Sequence, residues 1–160
     1  MIECPMQDMI LHAIIIGEAK KPLHYVQEAE VEISRGIVGD RYYYKEGTFN
    51  RPELDPNVRD ISLIDFDTLQ ILNNRVDAHL DFLDLRRNLV IKNLHINIKE
   101  KNIFTLGSAR FKLQRYAPPC RYLSRIVGVD MMQGLKHIGG FRAKVLTSGK
   151  IKLADILKLA

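Results

Sequence analysis

The sequence predicts a mostly-β barrel with a few peripheral helices. Three observations carry that expectation. Short β-type segments recur at close spacing, only one segment has a strong helical period, and length and composition suit an ordinary domain. With 160 residues, the chain can bury roughly 70% of its unfolded surface without disulfide or metal staples. A single domain over residues 1–160 is therefore expected.

The elements follow in order. Leu11 to Gly17 is a short β-rich run, and Ala29 to Ser34 alternates Val31 and Ile33 with Glu30 and Glu32, the period of a half-buried strand. Gly36 to Arg59 holds Gly36, Gly39, Gly47, Pro52 and Pro56, and reads as a long loop of the kind that usually serves function or motion. Ile61 to Ile64 is the next strand. Asp65 is the expected N-cap of an amphipathic helix with Phe66, Leu69 and Leu72 on one face. Strands are expected over Asn88–Ile91, Ile96–Ile98, Ile103–Leu106 and Ala109–Arg115, and short helices over Cys120–Val127 and Met131–His137. The C-terminus returns to strands, Ala143–Leu146 and Lys150–Leu153, joined by a turn at Ser148-Gly149.

Composition excludes several classes. Charged residues at 27% and ordinary Gly and Pro numbers exclude disorder and fibrous repeats. Ala13 to Ile16 is the longest clean apolar run, far short of the about 20 residues a membrane span needs. Glu3 and Asp8 stand where a secretory signal would be basic. Cys4 and Cys120 make no disulfide framework, so a cytoplasmic location is expected. The formal charge of +5, from 24 Lys+Arg against 19 Asp+Glu, leaves nucleic acid, an acidic small molecule or no charged partner open. Nucleic acid ranks last, because the excess is modest and no lysine-rich tract exists.

Cys120 is the leading chemical candidate. Pro118 and Pro119 fix the backbone before it, and Arg115, Arg121 and Arg125 are near in sequence. Guanidinium charge favours the thiolate, the form that attacks electrophiles and binds soft metals. The plainer alternative is a small hydrophobe in a turn. Three stretches pair arginine with glycine or asparagine: Gly36 to Arg41, Arg86-Arg87-Asn88, and Gly139 to Lys144. Each alone fits a turn or a solvated face. Together they suggest a site for phosphate or carboxylate, with planar forks beside backbone N–H groups. Asp40 and Arg41 point to opposite faces if the chain is extended there. Tyr42, Tyr43 and Tyr44 fit a strand edge best, a pocket wall or a base-stacking platform less well. His12, His24, His79, His95 and His137 have no zinc-site spacing, and no P-loop, dinucleotide fingerprint or nucleophile elbow is present.

The segments GIVGDRYY (36–43), RDISLID (59–65), LRRNLVI (85–91), TLGSARFKLQ (105–114), APPCRYL (117–123) and GGFRAKVLTSGKI (139–151), in this order, resemble the MOSC domain family, named for the C-terminal part of molybdenum cofactor sulfurases. The layout is most similar to the small stand-alone bacterial members. The resemblance implies a β-barrel that holds the molybdenum cofactor (molybdopterin), with Cys120 as the sulfur ligand to molybdenum. It implies that Arg87 and Asn88 bind the cofactor's phosphate or pterin end, with Arg41 and Arg142 supporting the same anion and Arg86 beside them. Related members reduce small N-hydroxylated substrates such as hydroxylamino-purines and amidoximes, drawing electrons from a separate donor protein. The alternative is a carrier module in which Cys120 holds a persulfide received from a cysteine desulfurase. Pyridoxal phosphate is not expected in this chain, and a homodimer is compatible with the sequence. Three features depart from the family pattern: Ala154 and Asn93 stand where glycine is common, and the charged segment Lys99-Glu100-Lys101-Asn102 replaces what is often a glycine-containing connection. An Ala costs little there if its φ is negative, and Asn tolerates a left-handed turn.

Overall fold

Side chains of β1 (Met9–Ile16) alternate between two apolar environments, and that alternation organises the molecule. The protein, seen in a computed structural model, is described over residues 7–18, 21–44, 60–99, 102–119 and 121–160. The remaining strands are β2 (His24–Val26), β3 (Glu28–Glu32), β4 (Gly36–Ile37), β5 (Ile61–Asp65), β6 (Leu89–Lys92), β7 (Ile103–Leu106), β8 (Ala109–Tyr116), β9 (Phe141–Thr147), β10 (Gly149–Lys152) and β11 (Ile156–Leu159). Helices are α1 (Thr68–Val76), α2 (Phe82–Leu85), α3 (Arg121–Val127) and α4 (Met131–Gly134).

The strands β11, β7, β8, β9, β5, β6 and β1 are hydrogen-bonded in that order, and pairing of β1 with β11 closes them into a barrel. β2 extends the sheet along β1, and β10, β3 and β4 form a second small sheet. Pairing in the barrel is antiparallel except between β5 and β6, which run parallel. The barrel interior holds Leu11, Ile14, Leu63, Leu89, Phe104 and Phe111, among others. A second cluster, with Ala13, Ile15, Ile64 and Val90 from the strands and Leu72, Leu123 and Met131 from the helices, lies on the other face. Leu11 belongs to the first cluster and Ala13 to the second, although two residues apart they should share a face. A bulge between Leu11 and Ala13 resets the parity, so Ile14 and Ile16 turn inward again. Each fully buried Leu, Ile or Phe contributes roughly 1.5–3 kcal/mol.

The expected barrel with peripheral helices is what the chain forms, but four local expectations are corrected. Asp65 is not the N-cap: α1 starts two residues later, behind Asp67. The Asp65 carboxylate instead accepts the N–H groups of Asp67 and Leu94 (3.3 and 3.0 Å). Residues 96–98 form no strand; Ile96 and Ile98 pack against the barrel core as single anchors. Ser148-Gly149 does not close a hairpin, because β10 leaves the barrel and pairs with β3. Ser148 marks that corner, its Oγ accepting the Ile33 N–H at 2.8 Å. Ala154 has φ +75°, the left-handed region, so alanine is strained there, while Asn93 at φ +61° is the residue type that tolerates it. Among the described residues no helix is long and apolar enough to cross a membrane.

Candidate functional site

The loop after β4 is fastened to the end of β1 by one buried carboxylate. Asp40 accepts the N–H groups of Gly17 (3.2 Å) and Tyr42 (3.4 Å), and the Arg41 N–H donates to the Gly17 carbonyl at 2.8 Å. Residues 41–44 form turns rather than extended chain, so Asp40 and Arg41 do not face apart. Arg41 Nη1 lies 3.6 Å from Asp40 Oδ1, as an ion pair. The tyrosine run is likewise no strand edge. Tyr42 is buried, and its ring is met by two guanidiniums, with Arg41 Cζ 4.9 Å and Arg142 Cζ 5.6 Å from its centroid.

Arg86 joins this group from the end of α2. It adopts φ +56° as the left-handed C-cap, with its N–H donating to the Leu83 carbonyl. Burial lowers the basicity of its guanidinium, and the charge of Arg41 lowers it further, against the opposing pull of Tyr122, Tyr42 and Asp40. Like charges are thus crowded in a partly desolvated place, which is the electrostatic condition an anion relieves.

The turn at Arg86 sends the next guanidinium elsewhere. Arg87 is buried, and its Nε donates to the Gly139 carbonyl at 2.9 Å while Nη2 lies 3.5 Å from the Ala117 carbonyl. It braces two segments against each other: the Ala117-Pro118-Pro119 run and the Gly139-Gly140 turn. Those segments touch so closely that a Cβ on Gly139 would lie 2.2 Å from the Ala117 carbonyl oxygen. Asn88 works inside the barrel wall. Its Oδ1 accepts the Ser62 N–H (3.0 Å) and the Ser62 hydroxyl (3.2 Å), its Nδ2 donates to the Ile15 carbonyl (3.1 Å), and it also hydrogen-bonds Asp40.

Of the residues singled out from sequence, then, Arg41, Arg86 and Arg142 gather about Tyr42. Asn88 is linked to them through Asp40, while the Arg87 guanidinium turns to Gly139 and Ala117. Cys120 lies outside the described residues. Sequence reasoning missed Ser62, whose only signal is a small polar residue inside the apolar strand Ile61–Ile64. It also missed Tyr122, which has no local signal.

Pro118 and Pro119 line a cleft of about 810 Å³. Tyr116 and Phe141, register partners on β8 and β9, contribute rings 5.2 Å apart. Ile71 and Met132 come from α1 and α4.

A family model described as the MOSC domain matches residues 51–158. No curated protein matches the chain in sequence. In structure the chain is similar to the YuaD protein from Bacillus subtilis, with TM-score 0.78 and 13% identity over 96% of each chain. It is similar to YiiM from Geobacillus stearothermophilus, with TM-score 0.70, 16% identity, and coverage of 95% of this chain and 75% of that one. YiiM from Escherichia coli gives TM-score 0.63 and 16% identity, covering 95% and 70%. At such identities these likenesses establish the fold.

Proposed function

The chain belongs to the MOSC domain family, and from that premise we propose that it binds a molybdenum cofactor and reduces small N-hydroxylated compounds, hydroxylamino-purines or amidoximes. The observation that carries this reading is the convergence of Arg41, Arg86 and Arg142 on Tyr42. A phosphorylated pterin needs cationic forks of this kind, and the crowding of Arg86 by Arg41 fits such an anion.

In this reading each residue has a distinct task. Arg41, Arg86 and Arg142 bind the phosphate. Asp40 holds the Arg41-Tyr42 turn through its bonds to Gly17 and Tyr42. Asn88 fixes Asp40 and Ser62, and Arg87 ties Ala117 to Gly139; both act by positioning, where the resemblance alone implies contact with the cofactor. Cys120 supplies the thiolate ligand, a soft donor suited to molybdenum. When bound, the cofactor would supply the redox centre for delivering two electrons to the N–O bond. Those electrons come from a separate donor protein. With two protons taken up, the hydroxylamine R–NH–OH becomes the amine R–NH₂ and releases one water.

Turnover of an N-hydroxylated purine with a chemical reductant tests this directly. Wild-type protein isolated with its native cofactor should reduce it, and Cys120→Ala should lose the activity by at least about a hundredfold, two tenfold steps of roughly 1.4 kcal/mol each. Undiminished turnover in Cys120→Ala would refute the ligand role. Mass spectrometry of Cys120 after exposure to a cysteine desulfurase decides the carrier alternative: a persulfide without turnover would replace the reductase reading.

A further inference from the structure

We propose that His137 is the acid of the reductase reaction, giving its ring proton to the oxygen that leaves when the N–O bond breaks. The proposal rests on the reductase reading and assigns a task that reading leaves open, the source of a proton. His137 has φ +66°, the left-handed region that a residue other than glycine occupies only when its surroundings hold it there. Guanidiniums hold the carbonyls on both sides of it. Arg75 Nη1 donates to the carbonyls of Gly134 (3.2 Å) and Lys136 (2.9 Å), and Arg87 Nε donates to that of Gly139 (2.9 Å). The Ile138 N–H donates to the Leu135 carbonyl at 3.0 Å, and Gly139 sits too close to Ala117 to carry a side chain. Two arginines, one in α1 and one after α2, therefore keep a histidine in a conformation that glycine adopts more readily. Backbone strain of this kind gathers at ligand sites.

His137 lines the cleft of about 810 Å³ that Pro118 and Pro119 also line. In the sequence these prolines immediately precede Cys120, the metal ligand of the reductase reading. The ionisable residues lining the cleft are Asp65, Tyr116, Lys136 and His137, and chemistry separates them. Asp65 serves as an acceptor, one carboxylate oxygen taking the Leu94 N–H and the other that of Asp67. As classes, phenols and ammonium ions are weaker acids than imidazolium. Imidazole is the side chain suited to giving and regaining a proton near neutral pH, and His137 is exposed, so solvent can recharge it. Two electrons from the donor protein break the N–O bond. The departing oxygen takes the His137 proton and leaves as water, and the nitrogen takes its proton from solvent. Solvent then reprotonates the neutral imidazole.

His137→Gly tests it, because glycine takes a positive φ without strain and leaves space for an imidazole from solution. With an N-hydroxylated purine and a chemical reductant, the variant holoprotein should lose about a hundredfold in kcat, with KM within about twofold of wild type, the loss expected for a general acid. Added imidazole should restore about tenfold of that loss. The fall of wild-type kcat on the alkaline side of its pH profile should be absent from the variant. The ring resonances of His137 should also shift when the same purine is added to wild type without reductant, where no turnover occurs. Variant turnover within about twofold of wild type, a loss that imidazole does not repair, an unchanged pH profile, or ring resonances unmoved by the purine would overturn the proposal and leave the reductase reading standing. An inactive wild-type holoprotein would overturn that reading, and the proposal with it.

Discussion

Burial pushes the Asp40 carboxylate above its ordinary value, while Arg41, the Gly17 and Tyr42 N–H groups and Asn88 pull it back. Desolvation wins, so the folded protein holds this proton more tightly than the unfolded chain. Stability from protonated Asp40 is therefore fully present below the unfolded value of about 4 and is lost as pH rises through the raised folded value. In urea titrations across that window, wild-type stability should fall with pH more steeply than that of Asp40→Asn. Parallel pH profiles would show that Asp40 is solvated or fully compensated. The sequence marks Asp40-Arg41 as a candidate, but it could not foresee an ion pair, because that depends on the chain turning at residues 41–44 rather than extending. The same turn buries Tyr42 near two guanidiniums whose positions are about a hundred residues apart.

β5 and β6 are the one parallel pair in the barrel, and a side-chain exchange pins their register. Ser62 Oγ donates to Asn88 Oδ1 and accepts the Asn88 N–H at 3.0 Å. Ser62→Ala leaves that buried N–H without its acceptor and should cost about 1–3 kcal/mol in chemical denaturation. A change below a few tenths of a kcal/mol would mean that water or a backbone shift replaces the hydroxyl. Strands β7 and β8 were legible to within a residue, because their alternation is uninterrupted and each ends at a glycine or proline turn. The Ser148-Gly149 turn misled for a physical reason: a turn residue pair specifies a change of direction, not the partner that follows. Here the partner is β3, more than a hundred residues earlier. The four-residue α2 escaped notice because it is too short for any helical period; it stands on the Asp81–Asp84 capping box.

Closing the barrel through the β1–β11 pairing brings together segments that are scattered along the chain. The net charge of +5 says little by itself; its arrangement around Tyr42 gives it meaning. That a barrel would form was legible from the density of short strands. That Arg41, Arg86 and Arg142 would converge was legible only through motif order, since no local pattern encodes contacts across the closed sheet. The central claim is that this cluster and Cys120 together hold a molybdenum cofactor. Molybdenum per chain, measured by elemental analysis of protein isolated from cells that make the cofactor, tests it most directly. Wild type should carry close to one atom, and Cys120→Ala and the Arg41→Glu/Arg86→Glu double variant should each fall to about a tenth or less. Wild type without molybdenum, or variants that retain it undiminished while folded, would contradict the account.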